Sequence, residues 1–277
     1  MIDLHSHILP ALCDGSQDLE TSLTMARMAV ADGITHLACT PHIYPGLYEN
    51  SANTIAPALD ALQTQLDLAQ IPLKLLIGAD THMVPDVMRG LKTGRIPTLN
   101  HSRYFLLEPS HHVPVNDFLG QVENFLNAGY VPLITHPERL TWVGEHYQQF
   151  TDAARMGAWI QITAGAITGQ FGRSAKKYAE QFLQDGYVHI IATDAHGVER
   201  RPPILSEGIK AAALLVGEQE AHYCVWERPL AIVDNLAPSS VPTIPALRID
   251  PLKTPLRPAA NDSPKSKTFL QRLFGRH

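Results

Sequence analysis

The chain is 277 residues long, 45% hydrophobic and 18% charged, with a formal net charge of −5. This is the composition of a globular protein with a sizeable core, and the acidic balance argues against a nucleic-acid partner. No apolar run reaches the roughly 18 residues of a membrane span, and three cysteines (Cys13, Cys39, Cys224) are too few for a disulfide framework. The first residues lack a basic stretch and are interrupted by Asp3, His5 and His7, so no signal peptide is read there and a cytoplasmic protein is expected.

The first apolar run, IDLH at 2–5, predicts a strand carrying His5, with His7 just beyond it. Leu19, Leu23, Ala26 and Val30 fall at steps of three and four, which predicts a helix over 19–32 that stops at Asp32-Gly33. Further runs predict strands at 34–40, 73–79, 104–108, 130–135, 158–163 and 188–193. Segments of helical spacing separate them at 54–69, 84–91, 116–128, 146–156, 174–185 and 205–216. Seven strand–helix alternations imply an α/β protein with a parallel sheet, either closed into a barrel or open and doubly wound.

The alternation ends near residue 234, so 1–234 is expected to form the domain and 235–277 a disordered, proline-rich tail. Prolines at 238, 242, 245, 251, 255, 258 and 264 leave that tail without a periodic apolar face. From 237 to 277 seven Lys/Arg stand against two Asp/Glu, so this part carries +5 and the remainder −10. The closing KTFLQRLFGRH sets Phe269, Leu270, Leu273 and Phe274 beside Lys267, Arg272 and Arg276, a basic amphipathic turn suited to peripheral contact with an anionic membrane.

Fourteen histidines are the compositional oddity, and several stand at strand ends. His5 and His7 close the first strand, His42 follows the second, Asp80 follows the third and Glu108 ends the fourth. His136 ends the fifth, and Asp194 and His196 end the seventh. Alternate residues of a strand point the same way, so His5 with His7, and Asp194 with His196, can each share one ion. In an α/β barrel the C-terminal strand ends are where loops build active sites, and closure brings the first and last strands together. Asp14 lies in the loop after the first strand, which leads into the first helix. Imidazoles mixed with carboxylates suit Zn, Mn or Fe rather than Ca or Mg. A thiol mechanism is not indicated: a Cys-x5-Arg loop needs an arginine where Leu19, Pro45 and Leu230 stand.

The stretches MIDLHSHILP, ACTPHIYPGLYEN, THPERL, QITAGAITGQFG and ATDAHGVERRPP resemble the PHP superfamily of metal-dependent phosphoesterases. Within it they are most similar to the tyrosine-protein phosphatases of bacterial capsule and exopolysaccharide operons, the CpsB/YwqE type. The resemblance covers about residues 1–220. It implies a distorted (β/α)7 TIM-like barrel, up to three divalent metal ions with manganese-dependent activity, and a phosphotyrosine protein as substrate, a bacterial tyrosine kinase. By position the implied ligands are His5, His7, Asp14, His42, Asp80, Glu108, His136, Asp194 and His196. The family typically has glutamate where Asp80 stands, one methylene longer. Arg139 and Arg201 match its phosphate-binding, catalytic arginines, and a planar guanidinium suits that task because it can hold two phosphate oxygens. The implied reaction is attack of a metal-activated water on phosphorus without a covalent intermediate.

Three rivals stay open on the sequence. One is a PHP phosphatase acting on a small metabolite such as histidinol phosphate. Another is a TatD-like nuclease or amidohydrolase, which also opens with H-x-H. The third is a metal-bearing scaffold with weak catalysis, working in polysaccharide export. His82, two residues past Asp80, is read as incidental or as supporting a ligand, and His36, His101, His111, His112, His146, His189, His222 and His277 are given no role.

Overall fold

In the computed structural model, which describes residues 1–248, the apolar runs become parallel strands and the segments between them become helices. Strand β1 (Ile2–Ser6) leads to α1 (Leu19–Ala31), where the Asp18 side chain caps the helix by accepting from the Thr21 amide. Then come β2 (His36–Cys39), β3 (His42–Ile43), α2 (Ala52–Leu68), β4 (Lys74–Ile77), β5 (Asp80–His82) and α3 (Val87–Lys92). The next elements are β6 (Tyr104–Glu108), α4 (Phe118–Asn127), β7 (Val131–Thr135), α5 (Val143–Met156), β8 (Trp159–Thr163), α6 (Ala164–Thr168) and α7 (Gly172–Gln184). Finally β9 (Ile190–Ala192) is followed by α8 (Ser206–Val216), α9 (Glu218–Tyr223) and α10 (Glu227–Val233).

All strand pairs within the two sheets are parallel, one sheet in the order β1-β2-β4 and the other β3-β5-β6-β7-β8-β9. The predicted strands at 34–40 and 73–79 are each interrupted. The first breaks at Thr40-Pro41, where proline supplies no amide for the ladder, and resumes as β3. The second breaks at Gly78-Ala79, where a Cβ on Gly78 would stand 2.9 Å from Leu99 Cδ2 and from Thr40 Cγ2. The two breaks carry the chain from the small sheet to the large one. Parallel bridging of Ser6 to Ala195 brings β1 beside the end of β9. Consequently His42 and Asp80 begin short strands, paired with each other in register, where the sequence suggested they follow long ones.

Two apolar clusters hold this frame. The larger one lies between strands and helices and includes Leu37, Phe105, Ile134, Ile160, Phe150 and Phe182. The second gathers Ile2, Leu4, Ala38, Leu76, Tyr104, Leu106, Leu133, Trp159 and Ile190. On β6, Tyr104, Leu106 and Glu108 alternate along one face, so the face that packs this core at one end presents Glu108 at the other. Trp159 and Gln161 do the same on β8.

Residues Met1–Leu247 form one compact unit, so the expected start of a disordered tail at 235 is corrected for 235–247. Side-chain hydrogen bonds explain why these residues stay on the body despite their prolines. Asn235 Oδ1 accepts from the Arg103 amide at 2.9 Å, and Tyr104 Oη donates to the Leu236 carbonyl at 2.8 Å. Arg228 Nε donates to the Pro242 carbonyl at 2.9 Å, and Val241 and Ile244 are buried. The amphipathic turn at 267–276 lies outside the described residues.

Candidate metal centre

The nine residues expected as ligands converge. His5 Nε2 stands 3.2 Å from Asp194 Oδ1 and 3.5 Å from Asp80 Oδ2, and His7 Nε2 stands 3.3 Å from Asp194 Oδ1. His42 reaches Asp80 and Glu108 through Nδ1, at 3.3 and 3.4 Å, and Asp14 through Nε2 at 3.5 Å. His136 Nε2 lies 3.6 Å from Glu108, and His196 Nε2 lies 3.5 Å from Asp14. Three of the resulting groups, each with ligand atoms within 4.8 Å of one another, are His7-Asp14-His42-His196, His5-His7-Asp80 and His5-His136-Asp194.

Local structure places these atoms. The loop after β1 folds back so that the Ser16 amide donates to the His7 carbonyl at 3.0 Å. Gly15 is required there, because a Cβ would fall 2.1 Å from His7 O. Asn50 ties this loop to β3, its Nδ2 donating to the carbonyls of Leu12 and His42 at 2.8 and 2.9 Å. The backbone at His136 and Asp194 is left-handed, with φ of 34° and 51°, which turns both side chains at the ends of β7 and β9.

Second partners orient the imidazole rings. His5 Nδ1 donates to Gln161 Oε1 at 2.9 Å, and His196 Nδ1 donates to the Asp194 carbonyl at 2.9 Å, so in each ring Nε2 is the atom turned toward the carboxylates. His7 Nδ1 meets Cys13 Sγ at 3.2 Å, which fixes the orientation of that ring. Gln161 and Cys13 therefore belong to the site although neither was singled out by the sequence. Their signals are weak: one is a polar residue inside a buried strand, the other an ordinary loop cysteine.

Four carboxylates (Asp14, Asp80, Glu108, Asp194) face two guanidiniums (Arg139, Arg201), leaving two negative charges in excess among these groups. Burial opposes the ionised form of Asp194, but His5, Arg201 and Arg139 outweigh it and hold its carboxyl well below the usual range. Burial likewise disfavours charge on His5, yet Asp194 and Asp80 push it up to about 9. Burial, then His196 and His42, drive His7 the other way, well below its ordinary value. His42 is also raised, burial being outweighed by Asp80 and Glu108, so without an ion the carboxylates hold protons on His5 and His42.

Carboxylates that draw positive charge onto neighbouring imidazoles are the setting a cation site requires. Its orphaned atoms agree, since His42 Nδ1, both oxygens of Asp80, Glu108 Oε2, His136 Nδ1 and His196 Nε2 are buried without a hydrogen-bond partner. The donor set of imidazoles and carboxylates fits divalent transition ions.

Arg139 Nη1 and Arg201 Nη2 both reach Asp194 Oδ2. Phe171 backs them, with the Arg139 guanidinium 4.4 Å and that of Arg201 5.6 Å from its ring centroid. Both arginines border a cleft of about 260 Å³ together with Asp14, His42, Glu108, His136 and Asp194. Tyr44, Leu47 and Tyr48 form its rim.

Two histidines set aside by the sequence reading also stand here: His82 Nε2 is 2.5 Å from Glu108 Oε2, and His111 Nε2 is 3.2 Å from Glu108 Oε1. For His82 the alternation on β5 is a usable signal; His111 sits in a loop, where spacing carries none.

Over residues 1–234 the chain matches the family described as capsular polysaccharide synthesis, CpsB/CapC. This chain belongs to the CpsB/CapC family. Among its relatives, the tyrosine-protein phosphatase YwqE of Bacillus subtilis is 36% identical over 203 residues, 73% of this chain and 79% of that protein. The tyrosine-protein phosphatase CpsB of Streptococcus agalactiae is 29% identical over 240 residues, 85% and 99% of the two chains. A solved structure from the pair YwqE of Bacillus subtilis and CpsB of Streptococcus pneumoniae, described as unique metal-dependent tyrosine phosphatases, superposes with a TM-score of 0.82. It is 31% identical, and the match covers 86% of this chain and 96% of that one. Membership in the CpsB/CapC family agrees with the resemblance drawn from the sequence motifs.

Proposed function

We propose that this chain is a metal-dependent phosphomonoester hydrolase that removes phosphate from tyrosine in a protein. The substrate class is taken from its CpsB and YwqE relatives, and the kinase of a capsule or exopolysaccharide system is the partner we assign to it. The observation that carries the reading is the meeting of nine ligand side chains with two arginines on one carboxylate, Asp194. We assign manganese as the working ion, up to three per chain, held by His5, His7, Asp14, His42, Asp80, Glu108, His136, Asp194 and His196. We further read the two sheets as the parts of one distorted (β/α)7 barrel and the protein as cytoplasmic; among the described residues no helix is long and apolar enough to cross a membrane.

When bound, the ions supply Lewis acidity and bring the pKa of water toward neutrality. The protein's own groups do the rest. Arg139 and Arg201 hold non-bridging phosphate oxygens, and Asp194 and Phe171 keep the two forks turned toward the cleft. A phenolate leaves readily, since tyrosine has a pKa of about 10, so the site has little need of a strong general acid. The exposed Tyr44 and Leu47 and the half-buried Tyr48 offer apolar surface to the substrate ring, which favours phosphotyrosine over a small polar phosphomonoester. A thiol nucleophile is not called for: Cys39 and Cys224 are buried, and burial pushes the Cys13 thiol up, away from thiolate.

The test is hydrolysis of a phosphotyrosine peptide and of histidinol phosphate by the purified chain. Chelation with EDTA is expected to abolish peptide turnover and Mn²⁺ to restore it, with His136→Ala inactive in both conditions. Activity that survives full chelation refutes the metal reading, and preference for histidinol phosphate refutes the protein substrate.

A further inference from the structure

We propose that His82 is itself a metal ligand, completing with His42 and Glu108 an ion position at the mouth of the centre. This rests on the metal-centre reading above and adds to it a residue and a position. Asp80-Thr81-His82 repeats the spacing of His5-x-His7 and Asp194-x-His196. Because β5 is a strand, Asp80 and His82 project from the same face.

The donor atoms of the three residues lie within 4.8 Å of one another. His82 Nε2 is 2.5 Å from Glu108 Oε2, and His42 Nδ1 is 3.4 Å from the same oxygen. With no ion between them His82 and Glu108 form a close ion pair, while Glu108 Oε2 and His42 Nδ1 are buried with no well-aligned hydrogen bond. Two of the three ligand atoms are thus buried without an aligned partner, and the third lies against one of them. A divalent cation is suited to join three ligand atoms that converge in this way.

The ring is also held in place for the task. Tyr44 stacks on His82 with centroids 3.9 Å apart and planes 14° from parallel, so the direction of Nε2 is fixed from the solvent side. Glu108 connects this position to the deeper one. Its Oε2 faces His82 and His42 while Oε1 faces His136 and His111, the arrangement of a carboxylate bridging two ions. Two imidazoles and one carboxylate select Mn²⁺, Fe²⁺, Co²⁺ or Zn²⁺ over Mg²⁺ or Ca²⁺.

The experiment is Co²⁺ titration of the chelator-stripped full chain by calorimetry and visible absorption, for wild type, His82→Gln, His82→Ala and His136→Ala. Glutamine retains a hydrogen-bond donor for Glu108 but no imidazole lone pair. If His82 is a ligand, Gln and Ala both lose one equivalent of Co²⁺, or weaken it more than a hundredfold, and both lose intensity in the ligand-field bands. If His82 only supports Glu108, Gln restores wild-type stoichiometry and affinity to within threefold, and the proposal falls. His136→Ala separates the two levels: metal loss there with a wild-type His82→Gln leaves the metal centre standing without this ligand. A wild-type chain that binds no Co²⁺ overturns both. Apo-state melting temperatures within about 3 °C of wild type identify losses that are not misfolding.

Discussion

Replacing Arg201 by alanine tests the phosphate-binding role directly. Arg201 Nη2 rests on Asp194, the side chain borders the cleft, and its backbone is left-handed with φ of 59°. The substitution removes one charge-assisted contact to a phosphate oxygen and leaves every proposed metal ligand in place. Such a contact contributes about 1.5–3 kcal/mol, and at 1.36 kcal/mol per decade this becomes a loss of about 10- to 150-fold in kcat/KM. Asp194 keeps Arg139 as a partner, so metal content is expected to stay within that of wild type. Lysine at 201 restores the charge without the planar fork, so its activity should lie between alanine and wild type. Arg200→Ala is the matched control, since its neighbour supplies the contact to Asp194. The assay is steady-state hydrolysis of a phosphotyrosine peptide with saturating Mn²⁺, alongside metal analysis of each variant. If Arg201→Ala stays within threefold of wild type, or falls no further than Arg200→Ala, the assignment of Arg201 to phosphate is wrong.

Asp3 is fully buried beside His5, where burial outweighs its hydrogen bonds from Thr193 and the His5 amide and pushes its carboxyl up to about 6. A raised carboxyl gives stability that is complete below about pH 4 and lost as pH rises through 6. Across that window the metal-free wild type should lose about 3 kcal/mol relative to Asp3→Asn, at 1.36 kcal/mol per unit; urea titrations of both proteins in EDTA at several pH values check this, and a pH-independent difference refutes it. Arg228 is fully buried, pairs with Glu220 at 2.6 Å and donates to the Pro242 carbonyl. Arg228→Met should cost about 3–5 kcal/mol, read as a fall of about 6–20 °C in melting temperature; a fall under 2 °C would show that the pair holds nothing.

Most strands could be read from the sequence because each is a short apolar run between polar segments, and burial on both faces demands that composition. What could not be read was where two runs break. Pro41 breaks its run locally, by lacking an amide, but Gly78 does so for a reason that depends on neighbours distant in sequence, Leu99 and Thr40. The short helices α9 and α10 escaped because α9 spans six residues and α10 seven, too few to set a period. At the other extreme, 235–247 has the composition of a free tail but is tied down by Arg103, Tyr104 and Arg228, residues no local pattern connects to it.

The proposed ligands were legible for a different reason. A metal needs particular atoms, so residue type at a strand terminus carries information that packing residues lack. Their orientation was not legible, because it is set by partners on other elements, and here the centre divides into two parts. His5 and His196 have Nδ1 tied to Gln161 and to a backbone carbonyl, and His7 meets Cys13, so these rings are aimed by the fold itself. His42 and His136 have a buried Nδ1 with no hydrogen-bond partner. His42 is aimed by its stacking on Tyr48 and by the carboxylates it faces, and His136 by Asp80 and Glu108. The side built on β1 and β9 is therefore oriented by hydrogen bonds of the fold, while on the side facing Asp80 and Glu108 two imidazoles keep an unbonded Nδ1. That second side is where His82 and His111 stand, each against an oxygen of Glu108.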